Sequence, residues 1–138
     1  IRGKLIYMGK EELMQYKTIK VEIKQLKERI KELEERKTSI KSQVITDMPT
    51  GNGEGTDILS LIVMIEDAET ELIQKEKQLI ATMNKIEHTI DNVENSLDRC
   101  ILRARYIECK AWEQICVELN YSWRQIHRLH SNILKKIA

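Results

Sequence analysis

Residues 112–130 read WEQICVELNYSWRQIHRLH. Two short amphipathic segments meet there at Asn120-Tyr121-Ser122. A helix-turn-helix has this layout, with two helices joined by a tight turn of about three residues. Ile115 and Leu119 supply the apolar pair of the first helix, and Cys116 is small enough for the second helix to cross closely. Asn120 stands where positive φ is wanted, and asparagine tolerates that region better than most residues. Tyr121 is expected to pack beneath the turn, and Ser122 is a good N-cap for the second helix. The spacing therefore predicts one helix over 112–119 and another from Trp123 to about Ile137, with Ile126, Leu129, Ile133 and Ile137 inward. Asp98 to Ile107 reads as a preceding helix with Ile101, Leu102 and Tyr106 inward.

This arrangement leaves one face of the last helix outward, carrying Ser122, Trp123, Arg124, Gln125, His127, Arg128, Ser131 and, near its end, Lys135. These side chains suit nucleic acid. Arginine prefers guanine and glutamine prefers adenine in the major groove, and a helix N-terminus favours a phosphate. Trp123 has two possible roles, stacking on a sugar or a thymine methyl, or covering the motif's own core. Arg99, Arg103, Arg105 and Lys110 add positive charge before the motif, and Lys135 and Lys136 add it at the end. The competing interpretation is a three-helix packing unit whose charged face is merely solvated.

Charge distribution weighs against that alternative. The net charge of +1 divides into +5 over residues 1–46, −9 over 47–98 and +5 over 99–138. Segregation of this kind bears on partners rather than on fold.

Working back toward the N-terminus, apolar positions fall at 3-4 spacing: Tyr16, Ile19, Ile23, Leu26, Ile30, Leu33, Ile40 and Val44, with Lys37 at the interrupted site. That is a heptad seam over about four heptads, and it predicts a helix from about residue 10 to about 45. The breaker cluster DMPTGNGEGT, residues 47–56, comes next. Pro49 disfavours the helical region for Met48, and Thr56 or Asp57 is the expected N-cap of the next helix. A second seam takes Ile58, Ile62, Ile65, Leu72, Leu79, Met83, Ile86, Ile90, Val93 and Leu97, with Glu69 and Glu76 where apolar residues would complete it. Those glutamates are expected to limit register and oligomer state. The loop at 46–57 lets the second helix fold back antiparallel on the first, setting the −9 segment against the +5 segment. A two-helix hairpin has too narrow a core to stand comfortably alone, so a second copy is expected to cover it.

The composition fits. Of the 138 residues, 41% are hydrophobic but only 4% aromatic, and 33% are charged, which favours long helices over a thick globular core. No run of about 18 apolar residues is present, so no membrane-spanning helix is expected. No secretory signal is expected, and Met8 is the expected start, with vector-derived residues before it. Three cysteines, all between residues 100 and 116, point to a reducing, cytosolic setting rather than a disulfide framework. Cys100, Cys109, Cys116, His127 and His130 lack the short Cys-x2-4-Cys element of common zinc sites, so no metal or other cofactor is expected. The glycine run 51–55 has neither the preceding strand nor the following lysine of a phosphate loop. No catalytic set is recognisable, and the chain is not expected to be an enzyme.

Several segments of the C-terminal part carry a resemblance: Arg105-Tyr106-Ile107-Glu108, Trp112-Glu113-Gln114-Ile115, Leu119-Asn120-Tyr121-Ser122 and Arg128-Leu129-His130. Together they resemble the promoter-reading helix-turn-helix at the C-terminal end of bacterial sigma factors. They resemble more closely the small phage and prophage late-gene activators of the ArpU/RinA type, which share a sigma-like end. Some members place a charged helical half and an Asp-Met-Pro turn before the motif, as Asp47-Met48-Pro49 is placed here. The tight motif covers about 40 residues, and the remainder matches in layout. The chain departs from the pattern at Ala111 for a hydroxyl cap, Cys116 for alanine and Asn120 for glycine.

The resemblance implies sequence-specific binding of double-stranded DNA in the cytoplasm of a bacterial host. By it, Ser122, Trp123, Arg124, Gln125, His127, Arg128 and Ser131 occupy the recognition-helix positions. RNA polymerase is a further candidate partner, and no membrane is implied. The expected fold is all-α. A long antiparallel helical hairpin (coiled coil) over 1–97 oligomerises, a dimer being favoured, and a small three-helix helix-turn-helix domain over 98–138 binds DNA. In such a dimer the heads would read half-sites about 34 Å apart, or a multiple of that. Two alternatives stand beside this. One is a phage terminase small subunit, which also joins a helix-turn-helix to an oligomerising coiled coil. The other is a coiled-coil scaffold whose C-terminal helices bind a protein.

Overall fold

The structure, a computed structural model, describes residues 9–46 and 53–137, with side chains over 9–42 and 57–137. It is all-α. Two long helices, α1 (Lys10–Thr46) and α2 (Gly53–Asp91), are followed by α3 (Ser96–Leu102), α4 (Trp112–Leu119) and α5 (Trp123–Ile137). A π-helical turn, Arg103–Ile107, continues α3.

α1 has 37 residues and contains neither glycine nor proline. Glu11 and Glu12 lie in its first turn, where the helix dipole favours negative charge. α2 begins at Gly53, earlier than the cap expected at Thr56 or Asp57. Each glycine in that first turn costs only about 0.5–1 kcal/mol relative to alanine, which a long propagating helix outweighs. The turn at Pro49 and Gly51 lies outside the described residues. α2 ends at Asp91, where the Asn92 side-chain amide donates to the His88 carbonyl at 3.0 Å.

The two long helices pack together and run antiparallel. Glu12 meets Lys85 at 3.1 Å and Glu22 meets Lys75 at 2.7 Å, so contacts climb one helix as they descend the other. The polarity of these pairs corrects an expectation. Net charge has the basic helix offering lysines to the acidic one, yet in both pairs α1 gives the carboxylate and α2 the lysine. The seam of α2 also differs from the expected one. Leu61, Ile65 and Ala68 are buried and Lys75 half-buried, whereas Glu69 and Glu76 are exposed. A helix of 3.6 residues per turn drifts against a strict seven-residue repeat. A small alanine and a lysine stem close the seam where the repeat predicted glutamates.

The described residues divide into two compact units, 9–20 with 78–137, and 21–77. The ends of the long helices fall in the same unit as the C-terminal helices. In the first unit Leu13, Tyr16, Ile86 and Ile90 of the long helices share a core with Ile101, Leu102, Tyr106, Ile115, Ile126, Ile133 and Ile137. The physical reason is size. About 40 residues in three short helices bury too little apolar surface to stand alone, so they recruit the ends of the long helices. The core of the second unit centres on Leu33, Leu61 and Ile65, with Ile40 against them.

Where the heptads stop, α3 starts. The Asn95 side chain accepts from the backbone N–H of Leu97 at 2.8 Å and of Asp98 at 3.2 Å, a standard way to satisfy the open amides of a first turn. Among the described residues no helix is long and apolar enough to cross a membrane.

Candidate nucleic-acid interface

α4 and α5 occupy the spans expected of them. Ala111 precedes α4 in an extended conformation and gives no side-chain cap, as an alanine must. At the far end Asn120 adopts φ 58° and ψ 42°, the left-handed conformation that the turn required. The N–H groups of Asn120 and Tyr121 both point to the Cys116 carbonyl, closing the end of α4. Ile115 and Ile126 are fully buried, while Cys116, Leu119 and Tyr121 pack against the core around them.

The start of α5 is fixed more firmly than a lone serine cap would fix it. Ser122 Oγ accepts from the Gln125 backbone N–H at 3.2 Å, and Gln125 Oε1 accepts from the Ser122 N–H at 3.0 Å and the Ser122 hydroxyl at 3.1 Å. This is a reciprocal capping box. Its signal, Ser followed three residues later by Gln, is present in the sequence, although base reading was the only role expected of Gln125. Its carbonyl oxygen already accepts two hydrogen bonds, so a two-point contact with adenine would compete with the cap. Gln125→Ala is expected to cost about 1 kcal/mol of stability, measured by urea unfolding, while Gln125→Glu keeps the acceptor and most of the stability. An unchanged midpoint in the alanine variant would remove the capping role.

Arg124, Arg128, Ser131 and Lys135 are exposed and lie at i, i+4, i+7 and i+11, along one face of α5. Among the described residues the two arginines and Lys135 make no ion pair or side-chain hydrogen bond. Trp123 is 50% exposed and leans on His127, ring centroids 4.2 Å apart. Its ring stands at the edge of the outer face and outside the core. His127 departs from expectation. It is half-buried, with Trp112 at 5.0 Å on one side and Trp123 on the other, and its Nε2 is buried without a hydrogen-bond partner among the described residues. The helical rotation from Arg124 to His127 carries that ring toward α4 rather than outward.

Behind this face lies an aromatic cluster that periodicity does not disclose. His130 is buried. Its Nε2 lies 2.5 Å from the Tyr106 hydroxyl, and Trp112 meets its ring edge-on at 4.6 Å. Burial, and then electrostatic repulsion from its neighbours Lys10, His127 and Arg105, lower its pKa to about 4, so the ring is neutral at physiological pH. Burial raises the Tyr106 pKa to about 12.

The basic residues before the motif are engaged within the chain. Arg99 donates to the Val93 and Glu94 carbonyls at 2.7 and 2.8 Å. Arg103 pairs with Glu87 at 3.1 Å and Asp91 at 3.7 Å. Arg105 donates to the Lys110 carbonyl at 2.9 Å and lies 4.7 Å over the Trp112 ring. Lys110 bridges Glu108 and Glu118, whose carboxylates raise its pKa, and Lys136 reaches buried Asp98 at 3.4 Å. The free positive charge of this region therefore narrows to Arg124, Arg128 and Lys135. A row of unpaired cations on a rigidly capped helix can meet phosphates and base edges without breaking any interaction of the fold.

No curated protein and no solved structure matches the chain. One family model does, over residues 46–137, from the last residue of α1 through the whole of α2 and the C-terminal helices. The chain belongs to that family, described as Protein of unknown function (DUF1492).

Proposed function

We infer that this chain is a DNA-binding transcription regulator whose α5 enters the major groove, and that it acts in a bacterial cytoplasm as a phage or prophage late-gene activator. The observation that carries the DNA reading is the outward row of Arg124, Arg128 and Lys135. These are the cations of the C-terminal part that no carboxylate or carbonyl of the described residues holds. The left-handed turn at Asn120 and the capping box at Ser122 support it, because they fix the direction of α5 before any ligand arrives. The sigma-like sequence resemblance supports the regulatory part and brings RNA polymerase in as a further partner. A homo-oligomer formed through the long helices would present two or more heads to adjacent half-sites.

Gel shift with random-sequence duplex DNA at two salt concentrations tests it. If each head neutralises three phosphates, raising salt fourfold is expected to weaken binding roughly 40-fold. Absence of binding at the lower salt would leave the coiled-coil scaffold in its place.

A further inference from the structure

Between Ile58 and Ile65 the chain reads ILSLIVMI, a run with no charge and with apolar side chains on every side of the helix. α2 can turn only part of that circumference toward α1. Leu61 and Ile65 are buried in the core formed with Leu33. Leu59 remains 65% exposed, Val63 55% and Met64 37%. A helix apolar all round is ordinarily enclosed on all sides. In the described residues of 21–77 the buried apolar side chains are Ile23, Leu33, Leu61, Ile65 and Ala68. The large exposed ones are Val21, Leu59, Val63, Met64 and Ile73, as many left in water as removed from it. An exposed apolar patch of this kind marks an interaction site.

Charge identifies the occupant. Beyond the apolar run α2 is acidic, and among the described residues Glu66, Asp67 and Glu69 enter no ion pair. On α1 the same holds for Lys24, Lys27, Arg29, Lys31, Arg36 and Lys41, which outnumber the unpaired Glu28, Glu32 and Glu35. The cross-helix pair of this unit, Lys75 with Glu22, has the opposite polarity and uses none of them. The hairpin thus leaves an excess of unpaired carboxylates on one helix and of unpaired cations on the other. A second copy of this chain carries both complements and an apolar patch to cover the first.

We propose that Leu59, Val63 and Met64 bind the same patch of a second copy across a two-fold axis, with the acidic α2 of each copy set toward the basic α1 of the other. A self-complementary patch closes naturally as a two-fold dimer. An anionic lipid surface is the poorer occupant, since basic segments are what such surfaces attract and the flanking residues of α2 are acidic. The proposal deepens the oligomeric part of the function inferred above and does not depend on DNA binding.

Light scattering on the full chain without DNA tests it. At tens of micromolar the wild type is expected at twice the 16.2 kDa chain mass, and Leu59→Glu with Val63→Glu at the single mass. Circular dichroism should be unchanged, because both side chains lie on the surface. Should the glutamates cost helicity, Leu59→Ser with Val63→Ser decides, with the same expectation. A monomeric wild type overturns the proposal, as does a folded double variant that stays assembled. Binding of a monomeric wild type to anionic vesicles would give the face to lipid instead. The gel shift is scored separately, so DNA binding and dimerisation can fail independently.

Discussion

Changing Arg124 and Arg128 together to alanine is expected to weaken binding to duplex DNA by roughly 30-fold or more, from about 1–3 kcal/mol for each arginine removed. Stability should not change. Both side chains are exposed and neither makes an ion pair or side-chain hydrogen bond among the described residues, so their removal breaks no pairing within the fold. Arg103→Ala is the informative control. It removes the same charge from the same part of the chain, but its guanidinium already faces Glu87 and Asp91. Little change in DNA affinity is expected from it, because a paired cation gives up an existing partner to reach a phosphate. The salt slope separates two roles for the arginines. Removing a phosphate-binding arginine lowers the slope by about 0.9, whereas removing a base-reading one relaxes sequence preference instead. Titration by fluorescence anisotropy at several salt concentrations reads both. Equal affinity in the double variant and the wild type would place the interface elsewhere than on α5.

The helical pattern was legible because periodicity and turn chemistry are local. α1, α4 and α5 begin and end within a residue or so of their expected limits, and Asn120 takes the left-handed conformation from the reason given for it. What stayed hidden depends on which side chains meet. The sequence shows eight cations over residues 99–138, but it does not show that Arg99, Arg103, Arg105 and Lys110 are satisfied internally. The +5 segment and the −9 segment predicted attraction between α1 and α2. The pairs found among the described residues, Glu12–Lys85 and Glu22–Lys75, arise from the rotation of each helix and not from its net charge. Exposed pairs such as these are worth only about 0–1 kcal/mol, so apolar packing sets the rotation and charge adapts to it. His127 illustrates the same limit. A polar residue one position past Ile126 is expected to face outward, yet an aromatic ring gains more by lying between Trp112 and Trp123 than by facing water.

Acid is expected to destabilise the C-terminal unit before its carboxylates are fully protonated, and His130 is the reason. Its ring is 6% exposed, against the Tyr106 hydroxyl and the edge of Trp112. Lys10, His127 and Arg105 all oppose a further positive charge there. The folded chain therefore holds the imidazole neutral down to about pH 4, against an ordinary value of 6.5. The unfolded chain takes up the proton over that interval and the folded chain does not, so stability must fall as pH drops from 6.5 toward 4. For a shift of this size the loss is on the order of 2–3 kcal/mol. Well above pH 6.5 neither state is protonated and the contribution is flat. His130→Gln keeps a side-chain acceptor for the Tyr106 hydroxyl and removes the titration. Urea unfolding at pH 7.5 and at pH 4.5 is expected to show a smaller difference for that variant than for the wild type. Carboxylates lose their interactions equally in both proteins, so the comparison isolates the histidine. Identical pH dependence in the two would mean that His130 opens to solvent as readily as it would in the unfolded chain, and that the Tyr106–His130–Trp112 cluster does not hold α5 in place.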